Sequence, residues 1–253
     1  MGKFVGFIGT IRGKVGTTVF TKGENGLSYG RSYQPQVYNP KTAGQVDQRA
    51  KMNLVGRMSQ VTPKALLVGM DGVNNRQRRS MFNRIMLNVA TIDRSDPAHI
   101  IAKIEPEDIV FSQGAETIAA SAAAPTVAAG SVSIVLTLGD AALAGKYGER
   151  IVVAVIDSSN KAGYSQVKYN DKVLDGTTAT TVTVAFPSPI EDGSLVCVYR
   201  LPFVLNEEGA RYRSETLSND GGDIIADLLS SRAAYVRDFG NSVLQSATVF
   251  TQA

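Results

Sequence analysis

Hydrophobic and β-branched residues near the start of the chain form two short runs, at 15–22 and 27–33, separated by a glycine-containing segment. The segment holds Asn25-Gly26, a step that supplies the positive φ angles of a tight turn, so the pattern predicts a β-hairpin. Because side chains alternate along a strand, one face of the second run carries aromatic and cationic groups. These are Leu27, Tyr29, Arg31 and Tyr33. The mixture suits a partner surface. The alternative is that the tyrosine rings pack on the protein's own helices.

Helical spacing begins at about residue 42. Thr42 and Gln45 stand in the capping-box arrangement, and apolar residues then recur at intervals of three and four, which predicts an amphipathic helix over 42–60. A short apolar segment follows, and a third stretch with helical spacing covers 75–90. Its four arginines are Arg76, Arg78, Arg79 and Arg84. Arginines at a helix start are disfavoured by about 0.3–1 kcal/mol each, so they indicate anionic partners such as phosphates or carboxylates. An ordinary surface helix has the same pattern.

The chain changes character from about residue 93, and we expect the small-residue stretch 115–130 to be a connection, with a domain boundary near residue 115. Short strand-like runs follow, separated by turn-rich segments. They lie at 131–138, 151–157, 164–169, 180–186, 194–204 and 211–216. This succession predicts an antiparallel, immunoglobulin-like β-sandwich. An apolar stripe at helical spacing over 223–239 then predicts a C-terminal helix.

The predicted fold class is therefore α+β, with a β-hairpin and helices before the sandwich and a helix after it. We expect a basic α+β assembly domain at 1–114, an antiparallel β-sandwich domain at 115–217 and a C-terminal helical segment at 218–253. The run 119–124, which is alanine apart from Ser121, is too small-sided to fill a core, and we place it in the connection.

The net charge of +3 conceals two oppositely charged parts. Residues 1–94 contain 15 Lys+Arg and 4 Asp+Glu, a net +11, whereas residues 95–253 carry a net −8. This asymmetry predicts either an anionic partner such as nucleic acid, or head-to-tail contacts between copies of the chain. Two solvated surfaces without a partner are the alternative. The candidate contact residues are Arg12, Lys14, Tyr29, Arg31, Tyr33, Arg76, Arg78, Arg79 and Arg84.

Candidate chemistry is sparse. A single histidine and a single cysteine exclude a zinc site rich in these residues, and they exclude a disulfide within one chain. The glycines around Lys14 do not match a phosphate-binding loop, because Ile8 and Val15 stand where glycine and a hydroxyl residue are required. We expect His99 to be a loop or strand residue and Cys197 a buried small hydrophobe. We predict no catalytic, metal or cofactor site, and no membrane partner because no apolar run reaches about 18 residues.

Residues 9–58 carry a recognisable combination: Gly9-x-x-x-Gly13-Lys14-Val15-Gly16, a Tyr/Arg-bearing strand, and Asn39-Pro40-Lys41-Thr42-x-x-Gln45-x-x-x-Arg49. This combination resembles a family of uncharacterised proteins encoded by Bacteroidota and their phages. The resemblance implies a non-enzymatic phage virion protein, associated with the capsid or tail and assembled in many copies in the host cytoplasm. Its expected partners are copies of itself and other virion proteins. The alternative is a nucleic-acid-binding module that uses the basic half of the chain.

Overall fold

The computed structural model describes residues 2–4, 13–22, 28–33, 41–70, 75–95, 100–157, 163–206 and 237–252. It divides into two compact units, Met1–Thr42 and Ala43–Ala253. The sequence predicted a boundary near residue 115, but the structure divides after Thr42. The reason is that the helices share one hydrophobic core with the strands that follow them.

The N-terminal unit is a four-stranded antiparallel sheet with the order β1-β4-β3-β2. Its strands are β1 Gly2–Phe4, β2 Gly13–Val15, β3 Thr18–Lys22 and β4 Ser28–Ser32. β3 pairs with β4, which confirms the predicted hairpin; residues 23–27 of its turn lie outside the described part. β2 and β3 are joined by Gly16 and Thr17, and Gly16 has a φ of +59°. A positive φ at the first position of a two-residue hairpin loop favours glycine.

The second unit begins with two helices, α1 Ala43–Val61 and α2 Asn75–Val89, with a 3₁₀ turn at Lys64–Leu66 between them. Both predicted helices are confirmed to within one residue at each end. α1 buries Leu54, Val55 and Met58, which repeat at helical spacing.

Strands form the remainder of the described second unit. A small antiparallel pair consists of β5 Thr91–Asp93 and β6 Ile101–Lys103. A four-stranded sheet contains β7 Ala120–Ala122, β8 Thr126–Ala128, β9 Ser131–Leu138 and β12 Thr180–Ala185. A five-stranded sheet contains β10 Tyr147–Ile156, β11 Gln166–Val173, β13 Leu195–Leu205, β14 Arg237–Phe239 and β15 Val243–Val249. β10 lies between β11 and β13, while β14 and β15 pair with the other edge of β13.

The two central strands of the five-stranded sheet, β10 and β13, are buried on both faces. Val152 and Tyr199 belong to a core cluster that includes the buried side chains of α1 and α2. Val153 follows Val152 in β10, and Val198 precedes Tyr199 in β13. These two valines belong to a second core cluster, which β9 and β12 share. Because side chains alternate between faces, a strand covered on both sides is a continuous apolar run, as 151–156 is.

The structure thus shows a mixed chain of helices and antiparallel sheets, consistent with the predicted α+β class. Five of the six strands predicted beyond residue 130 are confirmed as β9 to β13, and 211–216 lies outside the described residues. The assignment of 119–124 to a connection is wrong for Ala120, which is buried in β7.

The C-terminal helical segment predicted at 218–253 is not helical where the structure describes it. Residues 237–239 and 243–249 are strands β14 and β15, because both find unpaired backbone along the edge of β13. Residues 218–236 of that prediction lie outside the described ranges.

Candidate interaction surface

One face of the N-terminal sheet gathers four of the predicted contact residues. Val19 of β3 pairs with Lys14 on one side and with Arg31 on the other, so these three residues share a face. Tyr29 lies two residues before Arg31 and therefore on the same face. The sequence placed Tyr29 and Arg31 together, but only the strand pairing adds Lys14 from β2. We call Lys14, Tyr29, Arg31 and Tyr33 the cationic-aromatic face.

Lys14 and Tyr33 contact each other directly. The Lys14 Nζ lies 3.7 Å from the centroid of the Tyr33 ring, within the range of a cation–π interaction. The backbone N–H of Tyr33 donates to the carbonyl of Thr17 at 2.5 Å, which continues the β3–β4 pairing beyond the end of the strand. An exposed cation–π contact is worth about 0.5–1 kcal/mol, enough to orient the ring and the ammonium group together.

The cationic-aromatic face is accessible. Lys14, Arg31 and Tyr33 are exposed and Tyr29 is half-buried, with 44% of Tyr33 accessible to solvent. Among the side chains of residues 13–21 and 29–33, which the structure describes, none is buried. A sheet normally needs a hydrophobic face covered by another layer for independent stability. The side chains of 13–21 and 29–33 show no such buried hydrophobic face. Arg12 lies outside the described residues.

The four arginines of α2 differ in burial and in their contacts. Arg79 Nη2 donates to the carbonyl of Thr62 at 3.4 Å, at the C-terminal end of α1, where a cation is favourable. Arg78 is half-buried, whereas Arg76 and Arg84 are exposed. Arg79 thus contacts the end of α1, and its role in partner contact stays a prediction.

The second unit contains two buried charge clusters that the sequence analysis did not identify. In the first, Arg200 donates from Nε to Glu149 Oε2 at 2.6 Å and from Nη2 to Glu149 Oε1 at 2.5 Å. Tyr147 Oη also donates to Glu149, at 2.7 Å. Arg200 Nη2 further donates to the carbonyl of Ala120 at 2.6 Å, so the cluster links β13 to β7 of the other sheet. Its charges balance.

The second cluster joins Arg150, Asp171 and Arg237. Arg150 donates to Asp171 from Nε at 2.6 Å and from Nη2 at 2.9 Å, and also to the carbonyl of Ala65. Arg237 Nη1 donates to Asp171 Oδ2 at 2.6 Å. Burial raises the pKa of Asp171, but the hydrogen bonds and charges of the two guanidinium groups outweigh burial and lower it. Burial lowers the pKa of Arg237, and Asp171 opposes that effect.

A signal for both clusters exists in the sequence. Glu149 and Arg150 directly precede the apolar run 151–156, and Arg200 follows the apolar run 195–199. Charged residues that continue a doubly covered strand become buried and must find partners of opposite charge. Their partners Asp171 and Arg237 are distant in the chain and carry no such local signal.

Other chemical features are limited. Cys197 is buried and unpaired, and burial raises its pKa to about 11, as expected of a small hydrophobe. His99 lies outside the described residues. Within the described ranges, no three His, Cys, Asp or Glu side chains come together to hold a metal ion. Neither helix of the described chain combines the length and apolarity needed to cross a membrane.

Neither a curated protein nor a solved structure matches the chain. One family model, described as a family of unknown function (DUF6266), matches residues 10–199. The match begins within the N-terminal unit and extends into β13, so it includes the cationic-aromatic face, both helices and most of the strands. By this match over the greater part of its length, the chain belongs to the DUF6266 family.

Proposed function

We propose that this chain is a non-enzymatic structural protein of a phage virion, associated with the capsid or tail, that assembles in many copies through its N-terminal sheet. The observation that carries the proposal is the cationic-aromatic face on a sheet in which none of the side chains of 13–21 and 29–33 is buried. Tyrosine and arginine are enriched at protein interfaces, and a sheet without a covered face gains stability when a partner covers it.

The partner that fits this face is acidic. Residues 95–253 carry a net −8, so a neighbouring copy presents opposite charge to the basic sheet. Contacts of this kind repeat from one copy to the next and produce a ring or a filament. Assembly would take place in the cytoplasm of the bacterial host, with other virion proteins as further partners.

The two sheets of the second unit favour an immunoglobulin-like sandwich as its finer architecture. Val132 and Val184 of one sheet and Val153 and Val198 of the other belong to a single core cluster. Two antiparallel sheets that share a core in this way define the sandwich architecture, which many surface and assembly proteins use.

Light scattering coupled to size-exclusion chromatography, over a series of protein concentrations and at low and high salt, tests the assembly proposal. We expect oligomers at low salt that dissociate as salt rises, because contacts between exposed charges are screened. The double variant K14E/R31E should shift the protein to the monomer. Its matched control, K168E/K172E, makes the same change of charge on exposed lysines of β11.

A strict monomer at high concentration and low salt contradicts the proposal. Equal dissociation by both double variants also contradicts it, because the effect would then follow from net charge rather than from the cationic-aromatic face. Negative-stain electron microscopy of the wild-type oligomer distinguishes rings and filaments from irregular aggregates.

Nucleic-acid binding is the second candidate function, favoured by the exposure of Lys14, Arg31 and Tyr33 on one face. Aromatic rings stack on bases and cations bind phosphates, so this combination suits a single strand. Fluorescence anisotropy with labelled single-stranded DNA tests it: log affinity should fall against log salt by about 0.7 per phosphate contact. Absence of binding at about 50 mM salt, where such contacts are weakly screened, rules it out.

A further inference from the structure

Strand β15 forms an open edge of the five-stranded sheet. It pairs with β13 on one side, and among the described residues no strand pairs with its other side. Ala247, Thr248 and Val249 are consecutive and all exposed, with 62% of Val249 accessible to solvent. Successive side chains of a strand point to opposite faces, so three exposed residues in a row mean that no layer covers either face here. The second half of β15 is therefore accessible on both faces and along its outer edge.

The backbone of this half of β15 directs hydrogen-bonding groups outwards. The N–H of Phe250 donates to the carbonyl of Ser194 at 2.8 Å, so the backbone of Phe250 points towards β13. Because backbone groups alternate in direction along an antiparallel strand, those of Thr248 also point towards β13, whereas those of Ala247 and Val249 point away. Both residues thus present an N–H and a C=O on the outer edge.

The other long edge strands, β11 and β12, carry features that prevent pairing. β11 has the exposed lysines Lys168 and Lys172, and charged side chains on an edge strand disfavour pairing with another chain. β12 is contacted by β11, because Asn170 Nδ2 donates to the carbonyl of Thr183 at 2.6 Å. In contrast, residues 239–253 contain no charged residue and no proline. β15 is thus a long edge strand without the residues that usually protect such an edge.

The chemistry of this edge fits a second copy of the same chain. Residues 95–253 carry a net −8, so acidic surfaces of two copies repel each other, whereas the neutral β15 allows them to approach. Two identical antiparallel strands are related by a two-fold axis, and each then offers the other the same donors and acceptors. Cyclic dimers of this symmetry are the commonest homo-oligomers.

We propose that β15 pairs antiparallel with β15 of a second copy, about a two-fold axis at Thr248. The regular part of β15 is 246–249, because a bulge interrupts its pairing with β13 before Ser246. With the axis at Thr248, Ala247 lies opposite Val249 of the second copy, and their outward N–H and C=O groups form hydrogen bonds in both directions. Thr248 lies opposite its own counterpart, in a pair with close side chains. The two five-stranded sheets then form one continuous sheet.

This pairing is independent of the proposed assembly through the cationic-aromatic face, because it uses backbone groups of the second unit and no charged side chain. Stable complexes bury about 1,200–2,000 Å², and one short pair of strands is smaller than this. We therefore expect a weak, reversible dimer, a minor species in the free protein that covalent trapping reveals. Where copies are already held together, such a weak contact adds to the others.

Disulfide trapping of the full chain under mild oxidation tests the pairing and its register. Thr248→Cys places two thiols opposite each other, at a Cα separation of about 4.5 Å that a disulfide accepts. Thr181→Cys, at an exposed threonine of β12, is the matched control for random collisions. Val243→Cys, at an exposed valine of β15, lies far from its counterpart in this register. We expect Thr248→Cys to form dimers several times faster than either control on non-reducing gels; the native Cys197 is buried.

Two further variants, each combined with Thr248→Cys, locate the contact at the outer edge. Ala247→Pro removes an outward N–H and keeps the hydrogen bonds to β13, and an edge strand tolerates proline at such a position. Val249→Lys places a charge on the same edge. Both should lower trapping to the rate of Thr181→Cys, whereas Val135→Lys, at an exposed valine of β9, should not change it. Circular dichroism confirms folding, and Val249→Lys gives an answer even where Ala247→Pro does not fold.

The same trapping in the K14E/R31E background at about 0.5 M salt, where contacts between exposed charges are screened, separates this inference from the proposed function. Trapping that persists there supports the pairing whether or not the cationic-aromatic face drives assembly. The inference is overturned if Thr248→Cys forms dimers no faster than Thr181→Cys or Val243→Cys. It is also overturned if Ala247→Pro and Val249→Lys leave the rate unchanged. Salt-dependent oligomers without trapping at Thr248 contradict this pairing alone and leave the assembly proposal standing.

Discussion

Replacing Arg200 with methionine leaves a buried carboxylate without its cation. Glu149 is fully buried and Arg200 is 4% exposed, so solvent cannot take over the role of the guanidinium. Glu149 would keep one hydrogen bond, from Tyr147 Oη, and would lose two from Arg200. The carbonyl of Ala120 would lose its donor as well. Methionine is unbranched and apolar, so the change removes the charge with little loss of packing.

The expected loss of stability is about 3–5 kcal/mol, the cost of removing one partner of a buried ion pair. For a folded unit of this size, 1 kcal/mol corresponds to about 2–4 °C, so the melting temperature should fall by about 6–20 °C. The double variant Glu149→Met/Arg200→Met removes both charges and should recover much of this loss, because no uncompensated charge remains.

Urea unfolding followed by circular dichroism measures these differences. Lys168→Met, an exposed lysine of the same sheet, is the control and should change stability by less than about 0.5 kcal/mol. If Arg200→Met costs under about 1 kcal/mol, or if the double variant is less stable than Arg200→Met, the ion pair does not stabilise the fold in the way described.

Three further predictions concern local chemistry. The pKa of Asp171 is lower in the folded protein than in the unfolded chain, so the ionised carboxylate stabilises the fold. This contribution to the free energy of unfolding is present above the unfolded pKa of about 3.9 and is lost as pH falls through the folded pKa. When the free energy of unfolding is measured against acid pH, the Asp171→Asn variant should not show this loss. In urea unfolding, Gly69→Ala should destabilise the protein by several kcal/mol, because φ is +69° and a Cβ would lie 1.8 Å from the Gln113 carbonyl oxygen. Gly56→Ala, in the middle of α1, should instead stabilise the protein by up to about 1 kcal/mol. Cys197 should resist iodoacetamide at pH 8 in the native protein and react fully in denaturant, since it is buried and its pKa is raised to about 11; rapid native labelling would contradict its burial.

The elements whose bounds were predicted well are those with a clear hydrophobic periodicity in their own sequence. α1 and β9 are found at or within one residue of the predicted bounds, because each has an uninterrupted period of its own kind. The hairpin of β3 and β4 was predicted from turn chemistry and strand alternation, which are also local.

Long-range pairing accounts for what the sequence left undetermined. β15 is a strand because Leu195–Arg200 of β13 offers it a backbone edge, and nothing within 243–249 indicates that distant partner. Ala120 is a core residue because Arg200 and Tyr147 converge on its neighbourhood, although an alanine run by itself predicts a connection. For the same reason Lys14 joined the cationic-aromatic face only once β2 was paired with β3.

The assembly proposal starts from the opposite net charges of the two parts of the chain. The buried charge clusters make the net charge of the remaining residues of 95–253 more negative. Residues 95–253 carry −8 in the sequence, but Arg150, Arg200 and Arg237 with Glu149 and Asp171 form buried clusters of net +1. The other residues of 95–253 therefore carry −9, and these include the ones that can meet solvent or a neighbouring copy. The sequence total consequently understates the contrast with the basic N-terminal sheet, where Lys14 and Arg31 are exposed. The proposed contact between copies would therefore join surfaces of stronger opposite charge than the composition indicates, and we expect its strength to fall steeply with salt.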